Sequence, residues 1–181
     1  FTGLPDAPVK AAAPYVDYST AVMSAFGALA AVIERNRTGR GQVVEASLLR
    51  TALAVFGSFI TEEATLGLGR TPTGNRVQTS APSDCFATAD GHVLVHVVGT
   101  GLFRRIGRAI GADDWLNDDS LLSDESRGLA ADRLCDRLGA WCTTRTTADV
   151  LAVFSAAGVP AGPVLSIAEA ELRAAYKITQ K

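Results

Sequence analysis

The 181-residue sequence has few cysteines and histidines and no excess of positive charge. Its three cysteines, Cys85, Cys135 and Cys142, form an odd set without CxxC spacing, and we interpret them as small buried side chains rather than metal ligands or disulfides. Two histidines, His92 and His96, are too few for a zinc site, so we expect strand residues and no metal. The net charge of −2 shows no excess of basic residues, so we expect no nucleic-acid partner.

Long hydrophobic runs are also missing. The most apolar stretch, residues 21–33, is interrupted by Gly and Ser, so we expect no membrane-spanning segment and no membrane partner. No secretory signal pattern is present, and we predict a cytoplasmic protein. The chain starts at Phe1 without a methionine and ends on the unpatterned ITQK, so we expect a piece of a longer polypeptide.

The segment 14–42 predicts a long helix. Ser19 or Thr20 is expected to cap it, and it is expected to run to about Asn36 and to stop at Gly39. The run AVMSAFGALAAVI is apolar nearly all round and rich in small residues. Such a helix is predicted to be buried and closely approached by other elements.

Two further elements are predicted before residue 67. The alternating segment Gln42–Ala46 is expected to form a short strand. The run 47–66 is expected to form one long helix that Ser47 caps and that Gly67 and Gly69 end.

The second half begins with a composition break over residues 68–84, which predicts a linker. Two strands are expected around an Asp90-Gly91 turn, because Asp-Gly is a strong hairpin signal. Helices are predicted over 100–110, 127–141, 147–157 and 167–176, and an edge strand within GVPAGPVLS. The carboxylates of 113–119 and 124–125 are interpreted as polar loop residues. These elements predict an α/β chain.

Asp17 is the candidate reactive group. It precedes the expected cap at the mouth of an apolar helix, where the helix dipole and backbone N–H groups favour a negative charge. The residues alone favour the interpretation that Asp17 is a structural part of the cap, because acidic residues are common at helix starts. Gly39-Arg40-Gly41-Gln42 is interpreted as a helix C-cap rather than a phosphate loop, because it lacks the GK[ST] of that motif. Gly99-Thr100-Gly101 does not complete a dinucleotide motif.

Arg104, Arg105 and Arg108 lie on neighbouring positions of the helix predicted over 100–110. They could meet a phosphate group, but a solvated helix face is the preferred interpretation.

Several motifs together resemble one family. They are PVKAAAPYVDYSTAVMSAFGALAAVIERNRTGRGQVVEASLL, Gly74-Asn75-Arg76, Ala81-Pro82, Phe86 with Asp90-Gly91, and Gly158-Val159-Pro160-Ala161-Gly162-Pro163-Val164. In this order they are similar to class III coenzyme A transferases, the family of formyl-CoA transferase, the carnitine CoA-transferases and the α-methylacyl-CoA racemases.

The resemblance implies that Asp17 is the catalytic aspartate. In the transferases this carboxylate attacks an acyl-CoA thioester, and CoA moves between the acyl-CoA and a carboxylic acid through aspartyl anhydride and aspartyl-CoA thioester intermediates. Coenzyme A is then a substrate, and no metal is needed. By the same resemblance Leu48, Gly74 and Asn75 are candidate CoA-binding residues. Val77-Gln78 and Ser83 depart from the family pattern, which often has His-Pro and Tyr at these positions.

The family fold implies a division of the chain. Residues 1–67 would be the central part of a Rossmann-like large domain, made of helices and a short strand, and 68–84 the linker. Residues 85–166 would be a small α+β domain with an antiparallel sheet, and 167–181 would start the return to the large domain. The resemblance further implies an interlocked homodimer, and we expect the 181 residues alone to be inactive.

Two alternatives stay open from the sequence. The first is a 2-methylacyl-CoA racemase or epimerase that uses the same aspartate as an acid/base. The second is a non-catalytic dimeric scaffold.

Overall fold

The computed structural model describes residues 2–172 and divides the chain into two compact units. Unit 1 is Phe1–Pro72 and unit 2 is Thr73–Lys181. Both combine helices with antiparallel strands, so the predicted α/β class is confirmed. The boundary falls inside the predicted linker 68–84. The second half of that stretch belongs to unit 2, where Ser80, Ala81 and Ser83 are buried.

Unit 1 consists of a small hairpin and three helices. The hairpin pairs two-residue strands, and it lies in the N-terminal approach to the first helix rather than at Gln42–Ala46. The elements are β1 (Gly3–Leu4), β2 (Ala7–Pro8), α1 (Tyr15–Thr38), α2 (Leu48–Val55) and α3 (Gly57–Leu66).

Helix α1 begins earlier than predicted. Pro14 occupies the N-cap position without a side-chain hydrogen bond, and the Thr20 hydroxyl donates to the carbonyl of Val16 at 2.7 Å. The prediction of a cap at Ser19 or Thr20 is therefore wrong, because both residues lie inside the helix. The C-terminal end is confirmed: Gly39 has φ 74°, and its N–H donates to the carbonyl of Arg35 at 2.7 Å.

The predicted burial of α1 is not found within this chain, since none of its residues is buried. Its large apolar side chains are exposed: Tyr18, Val22, Met23, Phe26, Leu29 and Ile33. A close approach is nevertheless present, because a Cβ atom added at Gly27 would lie 2.8 Å from Cγ1 of Val44. The helix therefore packs on the 42–46 segment but leaves most of its apolar surface uncovered.

By length and composition α1 could also cross a membrane. Its most apolar window has a mean hydropathy of 1.5, and none of that window is buried. One such helix is weak support for a membrane span. The expected absence of a spanning segment therefore stays a prediction.

Two predictions about residues 42–66 are wrong. Residues 42–46 form no strand, since a strand needs a neighbour that supplies backbone hydrogen bonds and no described strand pairs with them. The predicted helix over 47–66 is broken at Phe56 into α2 and α3. Its ends are confirmed: the Ser47 side chain accepts from the N–H of Arg50 at 3.5 Å, and Gly67 is left-handed with φ 59°.

Unit 2 is built on a three-stranded antiparallel sheet of order β3-β4-β5. The predicted Asp90-Gly91 turn joins β3 to β4, and β5 is the predicted edge strand. In the register Cys85 faces Leu94, which in turn faces Gly162. The strands are β3 (Asp84–Ala87), β4 (His92–Val95) and β5 (Ala161–Pro163).

Helices pack on this sheet and on one another. They are α4 (Thr100–Ala109), α5 (Asp113–Leu116), a 3-10 helix (Asp119–Leu121), α6 (Asp124–Leu129), α7 (Ala131–Thr143) and α8 (Thr147–Ala156). The interpretation of the carboxylates of 113–119 and 124–125 as loop residues is wrong for most of them, because short helices form there. The predicted helix over 127–141 is split at Ala130. Residues 167–172 are helical, and the remainder of the helix predicted to 176 lies outside the described residues.

The core of unit 2 lies between the sheet and the helices. The sheet contributes Phe86, Val93 and Val95, and the helices contribute Phe103, Ile106, Trp115, Leu134, Leu138, Val150 and Phe154. Two pairs of stacked aromatic rings contribute to this packing. The ring centroids of Phe103 and Trp115 are 5.7 Å apart, and those of Trp141 and Phe154 are 5.5 Å apart. Unit 2 therefore has a hydrophobic core of its own.

The scarce residue types lie largely as predicted. Cys135 and Cys142 are buried in the core, and burial raises the pKa of the Cys142 thiol to about 11. Cys85 is half-buried on β3. His92 and His96 are exposed.

The Asp90 carboxylate ties the β3–β4 turn to the start of α8. It accepts hydrogen bonds from the backbone N–H of Thr147 at 2.7 Å and from the Thr147 hydroxyl at 2.8 Å. These bonds, the backbone one first, hold the pKa of Asp90 below its ordinary value. Its stabilising contribution is therefore full above the ordinary pKa of an aspartate and is lost as the pH falls through the lower, folded-state value.

Asp90→Ala is expected to lower the Tm of the chain by a few degrees at neutral pH, because the N–H of Thr147 in the first turn of α8 loses its acceptor. The difference from the wild type should shrink in acid. Thermal melts followed by circular dichroism between neutral and strongly acidic pH measure both effects. The control is Asp119→Ala, at an exposed carboxylate of the same unit. A pH-independent difference would contradict the assignment.

Candidate functional site

Asp17 lies in the first turn of α1 and is exposed. It makes no hydrogen bond or ion pair with another residue of the described range 2–172. Pro14 supplies no side-chain cap, so the carboxylate is the acidic group at this helix end. The partial positive charge of the helix N-terminus favours an anion there. The site thus offers an unpaired carboxylate at a fixed position.

Asp17 lies on the face of α1 that carries small side chains. Ala21, Ser24 and Ala28 follow it at helical spacings of four, seven and eleven residues, which places them on one stripe. The large apolar residues, such as Val22 and Phe26, occupy other positions around the helix. A ligand or a backbone segment can therefore approach α1 closely beside the carboxylate.

A cavity of about 720 Å³ lies on a different side of α1 from Asp17. Tyr18 and Ser19 line it, but Asp17 does not. Residues of α1, the 44–47 segment and α2 form its wall: Val22, Met23, Gly27, Val44, Glu45, Ala46, Ser47, Arg50, Thr51, Ala54 and Val55. Leu48 does not line it either. The structure therefore does not bring Asp17 and Leu48 together in this cavity.

A second cavity in unit 1, of about 590 Å³, contains no predicted site residue. Its lining includes Phe56, Phe59 and Ile60, with Arg70 at its side. The Arg70 guanidinium donates two hydrogen bonds of 2.7 Å to the carboxylate of Glu62. Its charge is therefore already matched by a neighbouring acid.

Gly74 and Asn75 form an exposed turn at the start of unit 2. Gly74 has φ 66°, a left-handed conformation that favours glycine. The turn is closed by two hydrogen bonds, from the N–H of Arg76 to the carbonyl of Thr73 at 3.2 Å and from the Thr73 hydroxyl to the carbonyl of Arg76 at 2.6 Å. The candidates thus belong to two units, Asp17 and Leu48 to one, Gly74 and Asn75 to the other.

Sequence reasoning gave Arg76 no role, but its side chain contacts three carboxylates. They are Asp84 at 3.2 Å, Asp136 at 3.8 Å and Asp132. Burial by itself would lower the pKa of Arg76, but the hydrogen bond to Asp84 and the nearby negative charges raise it. Asp132 and Asp136 are four residues apart within a predicted helix and so share a face, but this spacing does not indicate which cation they meet.

Arg104, Arg105 and Arg108 are exposed on α4, as the interpretation of a solvated face requires. Arg105 donates to the carbonyl of Gly158 at 3.3 Å. Among the described residues no group of three or more His, Cys, Asp or Glu side chains is placed to hold a metal ion.

Comparison with known proteins places these residues in a family. The family model described as CoA-transferase family III matches residues 1–179. A succinyl-CoA:D-citramalate CoA-transferase from Chloroflexus aurantiacus is 33% identical over 172 residues, which cover 93% of this chain and 42% of that protein. A succinyl-CoA:mesaconate CoA-transferase from Haloarcula hispanica is 31% identical over 169 residues, with coverages of 93% and 42%.

Solved structures agree with the sequence matches. A CAIB/BAIF family protein from Brucella suis has a TM-score of 0.69 and 25% identity, and the match covers 93% of this chain and 45% of that chain. A hypothetical protein from Mycobacterium tuberculosis has a TM-score of 0.73 and 20% identity, with coverages of 92% and 44%, and shows likeness of fold. The chain spans less than half the length of these relatives. It belongs to CoA-transferase family III.

Proposed function

We propose that the complete protein transfers coenzyme A between an acyl-CoA and a free carboxylic acid, with Asp17 as the nucleophile. The observation that carries the proposal is an exposed, unpaired carboxylate in the first turn of α1, on the small-residue face of the helix, in a chain of this family. A nucleophile on a helix is held in place by the backbone, which favours covalent catalysis by positioning.

The proposed reaction is balanced without a metal or a redox partner. An oxygen of Asp17 attacks the thioester carbonyl, the carbon–sulfur bond breaks, and CoA leaves as a thiolate, giving a mixed anhydride. The thiolate then attacks the aspartyl carbonyl and releases the donor acid as a carboxylate. The acceptor carboxylate attacks the aspartyl-CoA thioester, the carbon–sulfur bond breaks, and CoA leaves again as a thiolate, which gives a second anhydride. Attack of the thiolate on the acceptor carbonyl yields the new acyl-CoA and restores Asp17.

We propose short dicarboxylic acids as the substrate class. The names of the curated relatives pair succinyl-CoA with D-citramalate or mesaconate, and another relative acts on acetyl-CoA and oxalate. In a dicarboxylic acid, one carboxyl group can carry CoA as a thioester while the second carboxylate stays free. An assay with succinyl-CoA and a panel of dicarboxylic and monocarboxylic acceptors would rank the two classes.

The remaining assignments are parts of the same proposal. Leu48, Gly74 and Asn75 are proposed to contact CoA, and the enzyme is proposed to act in the cytoplasm as a homodimer. This chain covers 42% of the length of the citramalate enzyme, and the apolar face of α1 is uncovered. Both facts support the proposal that the 181 residues alone are inactive, because further polypeptide is needed to complete the CoA site.

A trapping experiment tests the nucleophile. The complete protein is incubated with an acyl-CoA and then treated with hydroxylamine or borohydride, which convert an aspartyl thioester to a hydroxamate or to an alcohol. Peptide mass spectrometry is expected to find the modification on Asp17, because the proposed mechanism forms the covalent thioester on that residue. Asp6, an exposed aspartate of the same unit, serves as the internal control. Transfer activity without modification of Asp17 would contradict the proposed role.

A further inference from the structure

Arg76 anchors the base of the Gly74–Asn75 turn to two elements of unit 2. Its Nε donates to Oδ2 of Asp84 on β3 at 3.2 Å. Its Nη1 donates to Asp132, and its Nη2 lies 3.8 Å from Oδ1 of Asp136, both on α7. Each of the three guanidinium nitrogens therefore faces a different carboxylate. One side chain fixes the turn to the sheet and to a helix at once.

The chain on the other side of the turn is also fixed. The N–H of Val77 donates to the carbonyl of Ser83 at 3.0 Å, and Ser83 is fully buried. Gly128 of α6 lies close to this segment, since a Cβ atom added there would lie 2.8 Å from the carbonyl oxygen of Gln78. The exposed turn is thus supported on both sides and has little freedom to reorient.

The contacts of Arg76 with Asp132 and Asp136, unlike the half-buried pair with Asp84, are better explained by orientation than by stability. The side chains of Asp132 and Asp136 are 92% and 78% exposed. Exposed ion pairs contribute little to stability, and three acids around one base leave two negative charges unmatched. A planar guanidinium with five N–H donors can serve several acceptors in fixed directions, whereas a lysine ammonium cannot.

We infer that Arg76 is a positioning residue for CoA transfer, which holds the Gly74–Asn75 turn in the orientation that receives the CoA thioester. The inference rests on the proposed function, since contact between this turn and CoA belongs to that proposal. Arg76 acts through the turn and touches no substrate. Its loss should therefore weaken the use of acyl-CoA more than it weakens the fold.

The test compares Arg76→Gln with Arg133→Gln in the complete protein. Arg133 is a matched control, because it makes a single ion pair of 2.9 Å with Asp118 in the same unit. Arg76→Gln is expected to lower kcat/KM for the acyl-CoA about tenfold, mainly through KM, with the KM for the acceptor acid unchanged. Hydrogen exchange of the Arg76 and Val77 amides is expected to be about tenfold faster. Arg133→Gln should change neither quantity.

Two further variants keep the test decisive. Arg76→Lys should restore less than half of the lost kcat/KM, because charge without the planar donor set cannot hold the turn. If Arg76→Gln does not fold, the double variant Asp132→Asn and Asp136→Asn removes only the exposed partners on α7, keeps the bond to Asp84, and should raise the same KM by a smaller factor.

Each outcome has one meaning. Equal effects of Arg76→Gln and Arg133→Gln, or full rescue by Arg76→Lys, would overturn the positioning role while a trapped Asp17 adduct in the wild type upholds the proposed function. Absence of that adduct in an active wild type would instead overturn the proposed function, and the inference with it.

Discussion

Asp17→Ala is expected to reduce CoA transfer by the complete protein at least about 10³-fold, because the variant has no oxygen to form the anhydride or the thioester. The fold should be unaffected. Asp17 is exposed and has no partner among the described residues, and Thr20 and Ser24 bond only to carbonyls of their own helix. The far-UV circular dichroism spectrum is therefore expected to match that of the wild type, and the Tm is expected to fall by no more than a few degrees, from the lost interaction with the helix N-terminus.

Two variants sharpen the measurement. Asp17→Glu keeps the carboxylate but moves it by one methylene group, and misplacement of a reacting group by about 1 Å costs on the order of 10²-fold. It should therefore lie between the alanine variant and the wild type. Asp6→Ala removes an exposed aspartate from the turn of the β1–β2 hairpin and should retain full activity.

Three results would contradict the assignment in different ways. Undiminished transfer by Asp17→Ala would exclude the nucleophile. Incorporation of deuterium at the α-carbon of an acyl-CoA without an acceptor acid would instead indicate the racemase. Absence of acyl-CoA binding to the complete wild-type protein by calorimetry would indicate the scaffold.

Features that short-range chemistry determines could be predicted from the sequence. Asp90-Gly91 joins β3 to β4 as expected, and Gly39 and Gly67 adopt the left-handed conformation that ends α1 and α3. Proline confines β5 to an edge. Each of these signals depends on only a few neighbouring residues, so the turn or helix end can be predicted without knowledge of the rest of the fold.

The errors occur where distant residues decide the structure. Residues 42–46 have the alternation of a strand but no described partner, and α1 has the composition of a buried helix but little to cover it. Both depend on contacts that the local pattern does not specify. The prediction of where α1 starts was wrong for a different reason. Pro14 occupies the N-cap position, so the helix begins before the residues with capping side chains.

The residues of the candidate site also differ in whether the local sequence can identify them. Asp17 in the first turn of a helix is indistinguishable from a structural acid by local sequence, and the family resemblance alone singled it out. The contacts of Arg76 join residues 8 and 56 positions apart, and no spacing rule predicts them. Arg76 could be found only once β3 and α7 were placed side by side.

Arg127 is the second residue whose replacement should have a large effect, in this case on stability. It is fully buried. Its Nη1 donates to the carbonyl of Leu121 at 2.7 Å and its Nη2 to the carboxylate of Asp124 at 2.6 Å. The guanidinium carbon lies 4.9 Å from the ring centroid of Phe103. Asp124 in turn accepts from the N–H of Gly99 at 2.9 Å, so Arg127 connects α6 to the start of α4.

Arg127→Met is expected to lower the free energy of unfolding by about 3 kcal/mol, because the carbonyl of Leu121 and the carboxylate of Asp124 lose their partner. Urea denaturation of the chain at neutral pH measures the loss. The control is Arg137→Met, which also removes an ion pair and a contact with an aromatic ring, to Asp114 and Trp115, but at an exposed site. Its loss should be much smaller.

The dependence on pH gives an independent check of the Arg127 contact. Burial raises the pKa of Asp124, but the hydrogen bonds from Arg127 and from the N–H of Gly99 outweigh it and leave the pKa below its ordinary value. The contribution of the pair is therefore full above the ordinary pKa of an aspartate and is lost as the pH falls through the lower value. The difference between the wild type and Arg127→Met should shrink in acid, and Asp124→Asn should remove this pH dependence. A difference that stays constant with pH would show that packing against Phe103, rather than the charge pair, makes Arg127 stabilising.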